Sequence, residues 1–154
     1  MKLILLSLSV ALATLSAADT PPAATYKTEA QLFSALKAGA ATPDMLTSEV
    51  QNGDRHRINI VRRTKAAGPV AHEGFAELHH IIDGSGTLVT GGTIVRPTGG
   101  ATGRSGAAGA TIQNGVSRHV TKGDVVLVPS GMPHWYKDLD GPMITYLEVR
   151  WEEK

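Results

Sequence analysis

The sequence predicts an all-β fold, a sandwich or barrel preceded by one short helix, and three observations carry that reading. From about Met45 onward, short apolar or β-branched runs recur at 55–63, 76–82, 86–95, 111–120, 124–128 and 143–151. Turn-forming residues separate them: Asn52-Gly-Asp54, Ala67-Gly-Pro69, Gly84-Ser-Gly86, Asn114-Gly115, Lys122-Gly-Asp124, Pro129-Ser-Gly131 and Asp140-Gly-Pro142. No second helical stretch of any length interrupts the pattern.

Taken in order, residues 1–18 read as an export signal. Lys2 precedes an apolar run from Leu3 to Leu15, and Ser16-Ala-Ala18 offers small residues for cleavage. Such a run is shorter than the about 20 residues of a membrane span. Export into a periplasmic or extracellular compartment is the expectation, with no membrane contact after removal. Residues 19–45 form a leader and a short helix. In T28-E-A-Q31 the threonine caps the helix and the glutamine reaches back, Leu32, Phe33 and Leu36 mark one apolar face, and Gly39 stops it. The helix is expected to pack over an opening or an edge of the β domain.

Residues 46–154 form that single β domain. R55-H-R-I-N-I-V-R-R63 alternates with period two, as a half-buried strand does. The segment 97–110, PTGGATGRSGAAGA, holds five glycines in fourteen residues and no apolar period, so it reads as a long loop joining two parts of the sheet.

Charge and composition exclude several functions. Of 15 basic residues one, Lys2, lies in the signal, leaving 14 against 14 acidic ones. A balanced chain lacks the basic excess that nucleic acid or an anionic membrane requires. There is no cysteine, so neither disulfides nor thiolate chemistry is available. Any metal site must be made of histidine and carboxylate.

The segment Gly123–His134, reading GDVVLVPSGMPH, resembles the second characteristic pattern of the cupin superfamily: glycine, five residues, proline, one, glycine, two, histidine. The first pattern, His-x-His, three or four residues, Glu, six residues, Gly, is matched by His72, Glu77 and Gly84. Its leading histidine falls on Val70. The resemblance implies a cupin-type jelly-roll β-barrel over about residues 50–151, a metal ligated by His72, Glu77 and His134, and a homodimer, for which the strand 143–151 is the candidate contact.

Strand geometry supports the trio. His72 and Glu77 are an odd number apart and would face opposite ways on one strand. With Glu73–Ala76 as a tight reversal, they instead flank adjacent strands and can converge. Two imidazoles and a carboxylate suit a divalent ion such as Fe, Mn, Zn or Ni and leave open positions. His79, two beyond Glu77, shares its face, as a fourth ligand, a cavity acid or base, or a hydrogen-bonded interior histidine. Tyr136, two beyond His134, should line the cavity and orient or protonate a substrate. His80 and Trp135 face the other way, His119 is a solvated strand residue, and the facing of His56 stays open. Ile81, Leu88 and Met132 are expected to supply a mostly apolar wall suited to a small organic molecule. The functions compatible with this site are an exported metalloenzyme on a small substrate, of dioxygenase or isomerase/lyase type, and a non-catalytic cupin binding a small ligand or metal.

Overall fold

A computed structural model describes residues 24–37, 39–42, 45–97 and 109–153. The expected export signal and most of the glycine-rich loop lie outside the described residues. The chain forms helix α1 (Glu29–Lys37), followed by strands β1 (Ala40–Thr42), β2 (Met45–Asn52), β3 (His56–Arg63), β4 (Phe75–Thr90), β5 (Thr93–Val95), β6 (Thr111–Gln113), β7 (Val116–Thr121), β8 (Val125–Val128) and β9 (His134–Glu152). Every pairing is antiparallel. The main sheet runs β1-β2-β3-β9-β4-β7, with β8 also on β4, and β5-β6 make a separate hairpin. No helix among the described residues is long and apolar enough to cross a membrane.

Helix α1 starts as its sequence demands. The Thr28 hydroxyl accepts from the Gln31 amide at 3.2 Å, and the Gln31 side-chain oxygen accepts from the Thr28 amide at 2.8 Å, a reciprocal cap. Leu36 is buried and the helix lies on β2 and β3, with the Arg62 guanidinium 5.6 Å over the Phe33 ring. Burying a leucine contributes about 1.5–3 kcal/mol, so a nine-residue helix, marginal alone, is held by its tertiary face.

Two turn signals are realised differently from the expectation. Gly84-Ser-Gly86 and Asp140-Gly-Pro142 do not reverse the chain; β4 and β9 run through them as long, bent partners. Gly84 pairs with Ile144 and Gly86 with Leu139, so a single residue of β4 faces the four residues 140–143. The glycines are needed because the two backbones nearly touch: a Cβ on Gly84 would meet the Met143 carbonyl oxygen at 2.3 Å, and one on Gly86 the Asp138 carbonyl oxygen at 2.3 Å. The result is a bulge that bends both strands. Gly91-Gly92 and Asn114-Gly115, where Asn114 adopts φ 59°, lie opposite each other and interrupt one continuous antiparallel register; they divide the expected runs 86–95 and 111–120 into two strands each.

The C-terminal strand is hydrogen-bonded on one side to β3 and on the other to β4. From Ile144 to Trp151 both of its edges are therefore used within the subunit, which is ordinary sheet pairing inside one chain. Beneath the site lies the core of Val61, Ile81, Leu88, Val120, Tyr136, Ile144 and Tyr146.

Candidate metal centre

Direct cross-strand partners share a face of the sheet. On the inner face Glu77 lies opposite Arg150, His79 opposite Glu148 and Ile81 opposite Tyr146, while β3 adds Asn59 opposite Glu148 and Val61 opposite Tyr146. The face thus runs from an apolar floor to a charged upper layer. His134 enters from the start of β9, opposite Thr90. His72 comes from the segment before β4, and Glu73-Gly74 turn the chain as expected, with the Phe75 amide donating to the His72 carbonyl at 3.3 Å and Gly74 at φ 77°.

These elements bring His72, Glu77 and His134 together, with one ligand atom from each lying within 4.8 Å of the others. Glu77 is the hub. Its Oε1 is 3.4 Å from His72 Nε2, and its Oε2 is 3.3 Å from His134 Nε2 and 3.1 Å from His79 Nε2. Burial by itself would raise this carboxyl; contacts with the His134 and His79 rings and the charge on Arg150 outweigh it and hold it well below the usual range. The centre of the site is a carboxylate.

The tautomers follow from hydrogen bonding. His134 Nδ1 donates to the Met132 carbonyl at 3.1 Å, which turns Nε2 toward Glu77. Nε2 and Glu77 Oε2 stand 3.3 Å apart, close enough for one cation to take both as ligands. Burial raises the Tyr136 phenol well above its ordinary pKa, so it stays a donor, and burial likewise lowers His79 below its ordinary value, so the ring is neutral. Tyr136 therefore donates to His79 Nδ1 at 3.1 Å, and His79 Nε2–H donates to Glu77. His79 presents a proton, not a lone pair, to the trio's carboxylate. It stands outside the His72–Glu77–His134 group and forms a second close group with Glu77 and Glu148.

The cavity above these residues has a volume of about 400 Å³ and is lined by Met45, Val61, Val70 and Tyr146 together with Asn59, Arg63, His72, His79, Glu148 and Arg150, among others. The expected mostly apolar wall is replaced by a mixed, strongly charged one, because β3 and β9 turn polar residues inward. Ile81 and Leu88 lie in the core beneath it. Met132 gives the site its carbonyl, while its half-buried side chain is not part of the wall. Tyr136 does not line the cavity either; it is buried behind His79, its ring stacked at 5.8 Å, in a cluster with Tyr146. Half-buried Trp135 donates its indole N–H to the Ala67 carbonyl. His80 lies on the outer face opposite Val125, while His56 and His119 are exposed.

Arg150 and Glu148 are the site residues that sequence reasoning missed. Arg150 Nη2 lies 2.6 Å from Glu77 Oε1, 3.2 Å from His72 Nε2 and 3.4 Å from Glu148 Oε1. The nearest available signal was the alternation of E148-V-R150 in the last strand, but only the register against Glu77 gives it meaning. Val70, where a fourth ligand would sit, is paired with His134 by two backbone hydrogen bonds of 2.8 and 3.0 Å and turns its side chain to the cavity.

No protein-family model matches the sequence, and no curated protein matches it significantly. Solved structures do match. The chain is similar to a predicted oxalate decarboxylase from Thermotoga maritima, with a TM-score of 0.52 and 16% identity over 71% of this chain and 81% of that one. It is also similar to KdgF from Halomonas sp., with a TM-score of 0.50 and 12% identity over 75% and 86%. The fold is a cupin jelly roll. A third similar structure is an HTH_3 family transcriptional regulator from Vibrio cholerae, with a TM-score of 0.51 and 10% identity over 77% and 58%. A predicted decarboxylase and part of a transcriptional regulator are similar to the same scaffold, and architecture alone does not choose a chemistry, which must be read from the side chains.

The donor set fits a divalent metal. Two imidazole nitrogens and a carboxylate converge, the bond to the Met132 carbonyl turns His134 Nε2 inward, and buried Glu77 Oε1 has no aligned hydrogen bond despite its ion pair with Arg150. Nitrogen and oxygen donors of this kind suit first-row metals and do not select among them.

Proposed function

We propose that the chain is an exported cupin metalloenzyme that holds one divalent ion on His72, Glu77 and His134 and acts on a small organic molecule in the cavity above it. The observation that carries this reading is the inward-pointing Nε2 of His134, fixed by its bond to the Met132 carbonyl, facing a buried carboxylate. Bound there, a metal ion would supply Lewis-acid polarisation or, as iron, positions for dioxygen, which are the isomerase/lyase and dioxygenase options.

The protein's own residues have separable tasks. Glu77 holds the negative charge. His79 positions it through the Nε2–H bond, and Tyr136 fixes the tautomer that makes that bond available. Neutral His79 is also the nearest proton carrier to the site, with Tyr136 behind it as donor. Asn59 orients Glu148 through a 3.0 Å hydrogen bond. A cavity of about 400 Å³ lies at the small end of ligand pockets.

The test is metal analysis of the purified protein. Stoichiometric Fe, Mn, Zn or Ni that is lost in a His72→Ala/His134→Ala double variant supports the reading, and a metal-free protein whose melting ignores chelators overturns it. Glu77→Gln then separates enzyme from binder: an enzyme keeps its fold and loses turnover. The alternative, a non-catalytic cupin that binds a small ligand or metal, is the reading that survives if no turnover accompanies metal binding.

Export rests on the Leu3–Leu15 run and the Ser16-Ala-Ala18 site; a mature N-terminus near residue 19 on the protein recovered outside the cytoplasm is the expected result. A homodimer would use the outer sheet face, where Val125 and Leu127 are 60% and 59% exposed beside Leu78 and Leu147. Sedimentation should give a dimer that Leu127→Lys splits.

A further inference from the structure

We propose that Arg150 is a resident cation that occupies the metal donors in the ion's place, and that metal entry requires its guanidinium to withdraw onto Glu148. The inference rests on the metal-binding reading above and concerns how that site is kept and opened.

The decisive point is a lone pair. A neutral imidazole has a single acceptor nitrogen, and a guanidinium can only donate. Arg150 Nη2 lies 3.2 Å from His72 Nε2, so that nitrogen is accepting from Arg150 and cannot ligate a metal at the same time. The same Nη2 lies 2.6 Å from Glu77 Oε1, the second donor. One guanidinium nitrogen is thus hydrogen-bonded to one ligand atom and ion-paired, without an aligned hydrogen bond, to the residue that supplies a second. The state is exclusive: arginine or ion.

The register makes this a built feature of the fold. Arg150 is the direct cross-strand partner of Glu77, and Glu148 is the partner of His79. Both side chains are delivered to the inner face two residues apart on one strand. Glu148 Oε1 is already 3.4 Å from Nη2 and is held by Asn59, so it is a fixed second acceptor. Arg150 is imperfectly settled where it stands, since its buried Nε has no hydrogen-bond partner. It also lines the cavity and keeps 22% of its side chain exposed, which gives it somewhere to go. Without metal, the guanidinium neutralises a carboxylate that would otherwise be buried alone, a costly state. With metal, the ion takes over that role.

The experiment is calorimetric titration of Mn²⁺ and Zn²⁺ into the full chain and its variants, with circular dichroism to confirm folding. Competition from a resident cation lowers apparent affinity in proportion to the population of the blocked state, so Arg150→Met should bind about tenfold tighter or better than the wild type. Arg150→Lys keeps the charge and should stay near the wild type. Melting curves give a second readout: in chelator Arg150→Met should melt below the wild type, and added metal should raise its melting temperature by more. Glu148→Gln should weaken metal binding in the wild type, where the arginine needs an acceptor, and less so in the Arg150→Met background. Equal or weaker binding by Arg150→Met, with binding still abolished by His134→Ala, overturns the arginine role and leaves the metal site standing. No binding by any variant overturns both.

Discussion

The β4–β9 pair, with β7 beside it, carries two clusters of the same composition, a carboxylate with a histidine and a hydroxyl. In one, Glu77 meets His79 at 3.1 Å and His79 meets Tyr136 at 3.1 Å. In the other, at the strand bend, Asp140 meets His119 at 2.6 Å and Ser85 at 2.5 Å. By distance alone the second is the tighter. By environment they are opposites: the side chains of Glu77 and His79 are 2% exposed, those of His119 and Asp140 58% and 47%. Water screens the outer cluster and can replace any lost contact. The inner one has no such substitute, so each of its groups must be matched by a protein partner or by an ion. Burial, rather than hydrogen-bond length, makes one of them a site.

The largest effect expected from this contrast is that of Glu77→Ala, which strands the Arg150 charge and the His79 donor and should lower unfolding free energy by about 3 kcal/mol in urea titrations. Asp140→Ala should leave the urea midpoint unchanged, although it removes two shorter hydrogen bonds. Similar losses at both positions would break the comparison. Next comes Tyr136→Phe, which leaves the buried Nδ1 of His79 without a donor and should cost about 2 kcal/mol. Ser85→Ala should cost nothing measurable. Nitrogen-15 spectra of the wild type should show His79 protonated at Nε2 only.

The smallest effect is in the pH dependence. Burial lowers His72 and His79 below the ordinary 6.5. Below that pH the unfolded chain binds protons that the folded chain refuses, so stability falls on acidification from about 6.5. Glu77 acts in a lower window: its carboxylate is held ionised, and the stability it contributes is lost only as pH drops below its ordinary 4.5. The melting temperature should therefore decline from pH 7 to 5, and less steeply in His79→Gln.

What the sequence made legible was local or carried by spacing. The cap at Thr28 and Gln31, the reversal at Glu73-Gly74, and the convergence of His72, Glu77 and His134 all depend on residues close in sequence or on fixed motif intervals. Arg150 could not be found that way. It is 73 positions from Glu77, and only the pairing of two strands, offset by bulges, decides what it faces. The bulges themselves were misread as turns, because glycines that permit a reversal also permit two backbones to pass within contact. Tyr136 obeyed strand alternation, but periodicity gives a side and not a depth, and the ring lies under His79 rather than on the wall. The polarity of the wall was hidden for a similar reason: alternation in β3 was plain, while its inward set was not.

The backbone bridge between Val70 and His134 has one more consequence. It pins residue 70 at the rim whatever its side chain, so a ligand histidine could be grafted there without moving the main chain. With valine the cradle has three corners and one greasy shoulder. Whatever guest approaches an ion seated in it meets hydrocarbon on that flank and coordinating atoms on the others, and its orientation would follow from that asymmetry.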